Sequence, residues 1–286
     1  MNEFTPTWLS LREARDSEAR DRRLLKKLGK RFASAKRTTV CDLGAGTASL
    51  LRALAPHLPR QQEWILVDRE AENLTAARDA LTAWAERSDD RAEGLTLKKE
   101  GREIAVTFRQ ADLTRDLERT IAGVDLVAAS ALFDLAGTAW IGALAKLLAR
   151  GRQPLYASLT FTGTFAAEPA LPLDGAIAAA FGAHQRSDKG LLGVAAGPSA
   201  QELLTQALLT AGAEVASGDS TWHLSERTPS LVEEVIQGFS TAAAETGLLS
   251  EEACRTWRIA RLGDTKTMSV GHADLFATWP AADAAS

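Results

Sequence analysis

The spacing of apolar positions changes along the chain, and each change marks an element. Residues 7–35 are rich in Arg, Glu and Asp, and Leu9, Leu11, Leu24, Leu25 and Leu28 give them one apolar side, which predicts one or two surface helices. Short strand-like runs follow at 38–41, at 64–68 (WILVD), at 104–108 (IAVTF) and at 124–130, the last almost unbroken in its apolar character. Helical periods separate them over 47–55, 71–85 and 115–121, and a further helix over 138–148 precedes a strand over 154–161. Alternation on either side of Lys99, Glu100 and Gly101 predicts a hairpin leading into the third strand. Strands alternating with helices imply a parallel sheet with right-handed crossovers, so the carboxyl ends of the strands open on one crevice.

Beyond residue 164 the pattern is less regular. Pro169, Pro172 and several glycines surround a small Ala-rich helix, followed by the polar run His184-Gln185-Arg186-Ser187-Asp188-Lys189-Gly190. Ser199 and Glu202 have the spacing of a capping box opening a helix over 200–211 that Gly212 ends. A strand over 214–224 bent at Gly218, helices over 230–246 and 250–261, and a β-forming run over 267–277 suggest a sixth strand and a reversed seventh. Residues 284–286 are expected to fray.

The stretch 40–51, VCDLGAGTASLL, passes from strand through paired glycines into helix. Gly44 and Gly46 let the backbone turn and approach a bound cofactor closely. A dinucleotide fingerprint would place a third glycine or alanine three residues past Gly46, where Ser49 stands. The pattern instead resembles motif I of the class I S-adenosylmethionine (SAM) dependent methyltransferases, an acidic residue followed by x-Gly-x-Gly, carried by Asp42, Gly44 and Gly46. Ala48 replaces the third glycine of many members. Asp68, about twenty residues past the glycines at a strand end, stands where an acidic side chain accepts ribose hydroxyls, with Arg69 beside it. The plainer reading of Asp68 is an ordinary capping residue before the helix over 71–85.

The resemblance implies more. Asp112 and Leu113 match the family's adenine-binding corner, and Asp125 matches the acidic start of its fourth motif. Ser130, Phe133 and Asp134 fall at the corner where the sulfonium methyl would lie. The Asn/Asp-Pro-Pro-aromatic sequence of exocyclic-amine and glutamine-amide methylation is absent there. The implied fold is α/β: a Rossmann-like class I methyltransferase fold with a seven-stranded mixed sheet, helices on both faces, a helical lid and a cap insertion. The expected division of a single domain, 1–286, is a lid (1–36), a SAM-binding core (37–164), a cap (165–198) and a carboxyl-terminal part (199–286). Trp8 and Arg12 on the lid, with Phe133, Gln185, Arg186 and Lys189, are candidate acceptor-binding residues, and the donors of the 184–190 run suit a carboxylate or phosphate. On the bland reading Trp8 is a hydrophobic anchor, Arg12 pairs with Asp16 one turn on, and the polar run faces water. His184, Asp134 and Tyr156 are candidate bases, needed only if the acceptor atom carries a proton.

Composition narrows the partners. The 286 residues are 45% hydrophobic and 24% charged, enough for a substantial core, and the net charge of −4 argues against nucleic acid or an anionic membrane as a broad electrostatic partner. Asp125, Asp134 and Lys146 interrupt the richest apolar run, and the amino terminus has no signal-like apolar stretch, so a cytoplasmic protein with a small-molecule substrate is expected, monomer or homodimer. Two cysteines form neither a disulfide framework nor a metal site, and no metal is implied. His223, His272 and Trp279 are expected to serve packing. The alternatives are an NAD(P)-dependent oxidoreductase, although Thr160 and not Lys follows Tyr156 by four residues, and a non-catalytic protein that keeps the SAM fold to bind or regulate.

Overall fold

The computed structural model describes residues 4–189 and 191–280; the terminal segment expected to fray, and Gly190 of the polar run, lie outside the described residues. In chain order the elements are α1 (Pro6–Ala19), α2 (Arg22–Phe32), β1 (Arg37–Leu43), α3 (Ser49–Leu54), β2 (Gln61–Asp68), α4 (Ala71–Trp84) and β3 (Arg87–Arg91). Next come β4 (Gly94–Lys99), β5 (Arg102–Gln110), α5 (Leu117–Ile121), β6 (Leu126–Ser130), α6 (Thr138–Gly151), β7 (Leu155–Glu168) and α7 (Asp174–Gln185). The chain continues through α8 (Ala200–Thr210), β8 (Glu214–Asp219), β9 (Trp222–Ser225), α9 (Pro229–Glu245), α10 (Glu251–Asp264) and β10 (Thr267–Thr278).

One sheet runs β3-β4-β5-β2-β1-β6-β7-β10-β8, with β9 paired to β10 beside β8. Strands β5, β2, β1, β6 and β7 are parallel, while β10 runs antiparallel to both β7 and β8. Seven of the strands therefore form the mixed sheet expected, and β3, β4 and β9 are additions to it. The parallel strands are nearly continuous in apolar residues because helices cover both faces. Leu117, Trp140, Leu144 and Leu204 from α5, α6 and α8 pack one face, and Leu28, Leu51, Leu74 and Leu81 from α2, α3 and α4 pack the other. A third cluster, including Ile177, Ile236 and Trp257 of α7, α9 and α10, encloses Phe161, Leu224 and Met268 where β7, β9 and β10 extend past the helical layers. Full burial of each such side chain is worth about 1.5–3 kcal/mol.

One strand was not foreseen, and three local expectations are corrected. β3 reads RSDDR and carries no apolar period, yet it pairs residue by residue with β4; as an exposed edge strand it needs no buried face. The strand expected over 214–224 is two strands on different stretches of β10, broken where the Asp219 carboxylate accepts from Thr221 Oγ1 (2.7 Å) and Ser220 N–H donates to His272 O (3.0 Å). The cap expected from residue 165 begins as strand, because β7 pairs with β10 as far as Glu168. Ser199 makes no capping-box bond: it closes a 3₁₀ turn over Gly197–Ser199 with helical backbone angles, whereas a capping residue takes extended ones.

The amino-terminal helices are tied down at their junction. Thr5 caps α1 (Trp8 N–H, 3.3 Å) and Pro6 fits its first turn. Asp21 caps α2 through the N–H groups of Arg23 (2.7 Å) and Leu24 (3.1 Å), and its own N–H donates to Asp274 of β10 (2.9 Å). No helix among the described residues is long and apolar enough to cross a membrane.

Candidate functional site

At the carboxyl end of β1 the chain turns through left-handed angles at Gly44 (φ +69°) and Gly46 (φ +52°), which glycine adopts without the Cβ penalty. Space demands glycine as well. A Cβ on Gly44 would lie 3.1 Å from Leu132 Cδ1, and one on Gly46 would lie 2.9 Å from Leu9 Cδ1, so α1 rests directly on the turn. The turn is held to β2 by Ala45 N–H on Val67 O (2.9 Å) and Gly46 N–H on Asp68 Oδ2 (2.8 Å), while Asp68 Oδ1 accepts from Glu70 N–H (2.9 Å).

A cavity of about 360 Å³ opens at this corner, within the size range of small-ligand sites. Asp42, Gly44, Gly46, Asp68, Arg69, Asp112, Leu113 and Ser130 all line it, brought together from the ends of β1, β2, β5 and β6. Asp112 Oδ1 accepts from Thr114 Oγ1 (2.7 Å) and Thr114 N–H (2.9 Å), bonds that hold its carboxyl below the usual range. Ser158 Oγ donates to Ser130 Oγ (3.2 Å), and the exposed Arg69 pairs with Glu70 (3.0 Å). Asp42 is 1% exposed and its Oδ2 has no partner. Burial pushes its carboxyl well above the usual range, Arg20 opposes that, and Asp68 adds to it. Asp125 lies at the opposite end of the sheet, where it accepts from Thr39 N–H (2.8 Å), so it takes no part in the cavity.

The cavity is also lined by Arg12 and Asp16 of α1, by Ala131, Leu132 and Leu135 after β6, and by Lys189 and Leu191. Arg12 donates through Nε (2.9 Å) and Nη2 (3.2 Å) to Asp16, whose Oδ1 also accepts from Trp222 Nε1 (3.0 Å). Its guanidinium lies 4.7 Å from the Trp222 ring centroid and 5.8 Å from that of Trp8. Lys189 is itself engaged by neighbours. Asp134, between Leu132 and Leu135, does not itself line the cavity; it is 7% exposed with Oδ1 unpartnered, and burial raises its carboxyl to about 6 despite the nearby charges of Arg12 and Lys189.

The remaining candidates lie outside the lining. Tyr156 is fully buried within the sheet, its hydroxyl turned toward Asp274 Oδ2 (3.4 Å). His184 Nε2 meets Glu245 Oε2 of α9 (3.0 Å), because α7 packs against α9. Arg186 folds back to the Gly182 carbonyl (3.4 Å), and Gln185 turns its amide oxygen into a buried position without a partner. Phe133 is core, packed on Trp140, and Trp8 packs edge-on against Trp222 (6.4 Å). Geometry therefore gives no support to Tyr156 or His184 as a base, or to Trp8, Phe133, Gln185 or Arg186 as direct contacts in this cavity. Leu9, Asn73, Leu135, Leu191 and Asp16 line it without a sequence signal of their own, apart from the i,i+4 spacing of Arg12 and Asp16. His272 is not at a sheet edge but on the inner strand β10, against Trp222 (4.8 Å). Among the described residues no group of three or more His, Cys, Asp or Glu side chains is placed to hold a metal ion.

No protein-family model matches the chain, and no curated protein matches it either. Among solved structures it is similar to a cyclopropane-fatty-acyl-phospholipid synthase-like protein from Lactobacillus casei, at 16% identity over 94% of this chain and 99% of that one, with a TM-score of 0.50. It is also similar to a cyclopropane synthase from Mycobacterium tuberculosis (15% identity, 90% and 83% covered, TM-score 0.45). A third similar structure is an N-methyltransferase from Haemonchus contortus in complex with S-adenosylhomocysteine (13% identity, 98% and 58% covered, TM-score 0.46). At these identities the Lactobacillus likeness speaks for fold alone. With the strand order, it makes the fold a Rossmann-like methyltransferase fold.

Proposed function

We propose that the protein is a SAM-dependent methyltransferase acting on a small-molecule acceptor. One observation carries this: eight residues from four strand ends, three of them the carboxylates Asp42, Asp68 and Asp112, line a single cavity together with Arg12 and Lys189. In this reading Asp68 receives the ribose hydroxyls, Asp112 and Leu113 take the adenine, and Asp42 with the Gly44–Gly46 turn takes the amino-acid end. Ser130 marks the methyl position. The cofactor, when bound, supplies a methyl group made electrophilic by its sulfonium. The chain's task is then to align acceptor, methyl carbon and sulfur, and to keep water out.

Arg12, held rigid by Asp16 and Trp222, suits an acceptor with a carboxylate or phosphate oxygen. Asp134 is the candidate base that its surroundings favour: it does not line the cavity, but it stands between Leu132 and Leu135, which do, and a carboxyl near 6 that turns toward the acceptor can take a proton from an O–H or N–H group at neutral pH.

Calorimetry with SAM, S-adenosylhomocysteine, NAD and NADP tests the cofactor; binding of a nicotinamide cofactor with no adenosyl ligand bound overturns the proposal. Methyl-labelled SAM and a panel of carboxylated and phosphorylated metabolites test transfer. Binding of both adenosyl ligands with no label transferred would favour a binding or regulatory protein.

A further inference from the structure

Arg20 ends α1 and is 3% exposed, and its Nε, Nη1 and Nη2 are all enclosed without a hydrogen-bond partner. A buried guanidinium in that condition needs an opposite charge nearby. The Asp21 N–H next to it bonds the Asp274 carboxylate of β10, and the sheet register brings a second carboxylate to the same face. Asp42 of β1 is level with Ala128 of β6, and Ala128 is level with Tyr156 of β7. Neighbouring strands are about 4.8 Å apart, so Asp42 and Tyr156 flank Ala128 at roughly 10 Å. Ala128 and Tyr156 belong to the core face that α2 and α3 cover. The Arg20 charge acts on Asp42, Tyr156 and Asp274 alike. Asp274 is already well supplied, by the N–H groups of Leu159 (2.9 Å) and Asp21 (2.9 Å) and by the Tyr156 hydroxyl (3.4 Å). Asp42 is not: it lines the cavity with a buried, unpartnered Oδ2.

We propose that Arg20 is a positioning residue for the cofactor: from inside the core it supplies the counter-charge with which Asp42 meets the cavity as a carboxylate and receives a cationic amino group. This rests on the SAM reading for the identity of that amino group, but the coupling of Arg20 to Asp42 stands without it. The charged and titratable groups around Asp42 are Arg20 from α1, Asp68 from β2, and Tyr156 and Asp274, which share Arg20 from β7 and β10; Cys41, next to it on β1, points to the opposite face. Burial and Asp68 both favour the protonated form of Asp42, and Arg20 alone opposes them. Without that charge Asp42 holds its proton to higher pH, and an ammonium ligand meets a neutral acid.

The test begins with ligand-free protein. Carboxyl carbons of labelled aspartates are titrated by NMR, with Asp42→Asn to assign the signal. In Arg20→Met the Asp42 midpoint should rise by about one pH unit or more, and in Arg20→Lys it should stay near that of the wild type. If Arg20→Met does not fold, Arg20→Gln, neutral but polar, must show the same rise. An unchanged midpoint in the neutral variants overturns the proposal. Calorimetry then gives the consequence: SAM should bind about tenfold or more weakly to Arg20→Met at pH 7, with the deficit shrinking as pH passes the raised midpoint. A deficit equal at every pH overturns the positioning role. So does a loss for SAM that decarboxylated SAM does not share, which would make Arg20 a direct carboxylate ligand. If the wild type binds neither SAM nor S-adenosylhomocysteine, the cofactor reading falls, while the titration still decides whether Arg20 governs Asp42.

Discussion

Gly46 N–H donates to Asp68 Oδ2 across 2.8 Å, so the glycine turn after β1 and the end of β2 form one hydrogen-bonded unit. The carboxylate expected to receive a ribose also holds the loop that forms the cavity floor. Those two duties are compatible, because each carboxylate oxygen accepts more than one hydrogen bond.

Asp68→Ala should therefore weaken SAM binding by about 1–3 kcal/mol, the loss expected when buried donors lose a charged acceptor. Asp68→Asn should lose less, since its amide oxygen can still accept from Gly46. Calorimetry decides, and unchanged affinity in Asp68→Ala removes the residue from the site.

Gly46→Ala faces two separate penalties, a left-handed φ of +52° and a Cβ 2.9 Å from Leu9 Cδ1. The first costs about 1–2 kcal/mol, and the second forces the Leu9 side chain of α1 out of its place on the turn. The melting temperature should fall, and Leu9→Ala in the same chain should restore only the steric part. A fully additive loss in the double variant would mean that α1 does not rest on the turn in solution.

Asp134 and His272 give opposite pH dependences. Burial raises the Asp134 carboxyl from 3.8 to about 6, so between those values the folded chain binds more protons than the unfolded one and stability falls as pH rises. By pH 7 this amounts to a cost on the order of 3 kcal/mol. Burial, then the charge of Arg12, lowers His272 from 6.5 to about 3, so its contribution is lost as pH falls below 6.5. In urea titrations from pH 4 to 7, Asp134→Asn should gain stability toward pH 7, and His272→Gln should lose the wild type's weakening toward pH 4. Parallel pH profiles for both variants and the wild type would contradict these surroundings.

For catalysis, Asp134→Asn should lower the rate of methyl transfer to an O–H or N–H acceptor by about 10²-fold or more. His184→Ala and Tyr156→Phe should leave it unchanged, since His184 is paired with Glu245 and the Tyr156 hydroxyl is buried against Asp274. Single-turnover transfer from labelled SAM separates these outcomes, and a collapse in His184→Ala would require His184 to leave Glu245 and reach the site.

Much of the fold was legible in the chain because it is written locally. Period-2 and period-3.6 apolar spacing marked strands and helices, and residues at strand ends share one edge of a parallel sheet by topology alone. That is why Asp42, Asp68, Asp112 and Ser130 could be grouped from sequence. β3 escaped because an exposed edge strand needs no apolar alternation, and the break between β8 and β9 escaped because the pairing with β10 makes it.

What the sequence by itself determined was the order of strands and helices, the glycine turn and the carboxylates beyond it, all properties of short segments with fixed backbone geometry. Only the tertiary structure decided which polar side chains face the cavity. Arg12 is fixed there by Trp222, 210 residues away, whereas His184 is drawn to Glu245 by the packing of α7 on α9. Arg20 reads in sequence as one more cation on a charged helix, and it becomes a buried counter-charge because the α1–α2 junction is fastened to β10 through Asp21 and Asp274. Burial, and the long-range contacts that cause it, set the charge and the direction of these groups, and no local pattern encodes either.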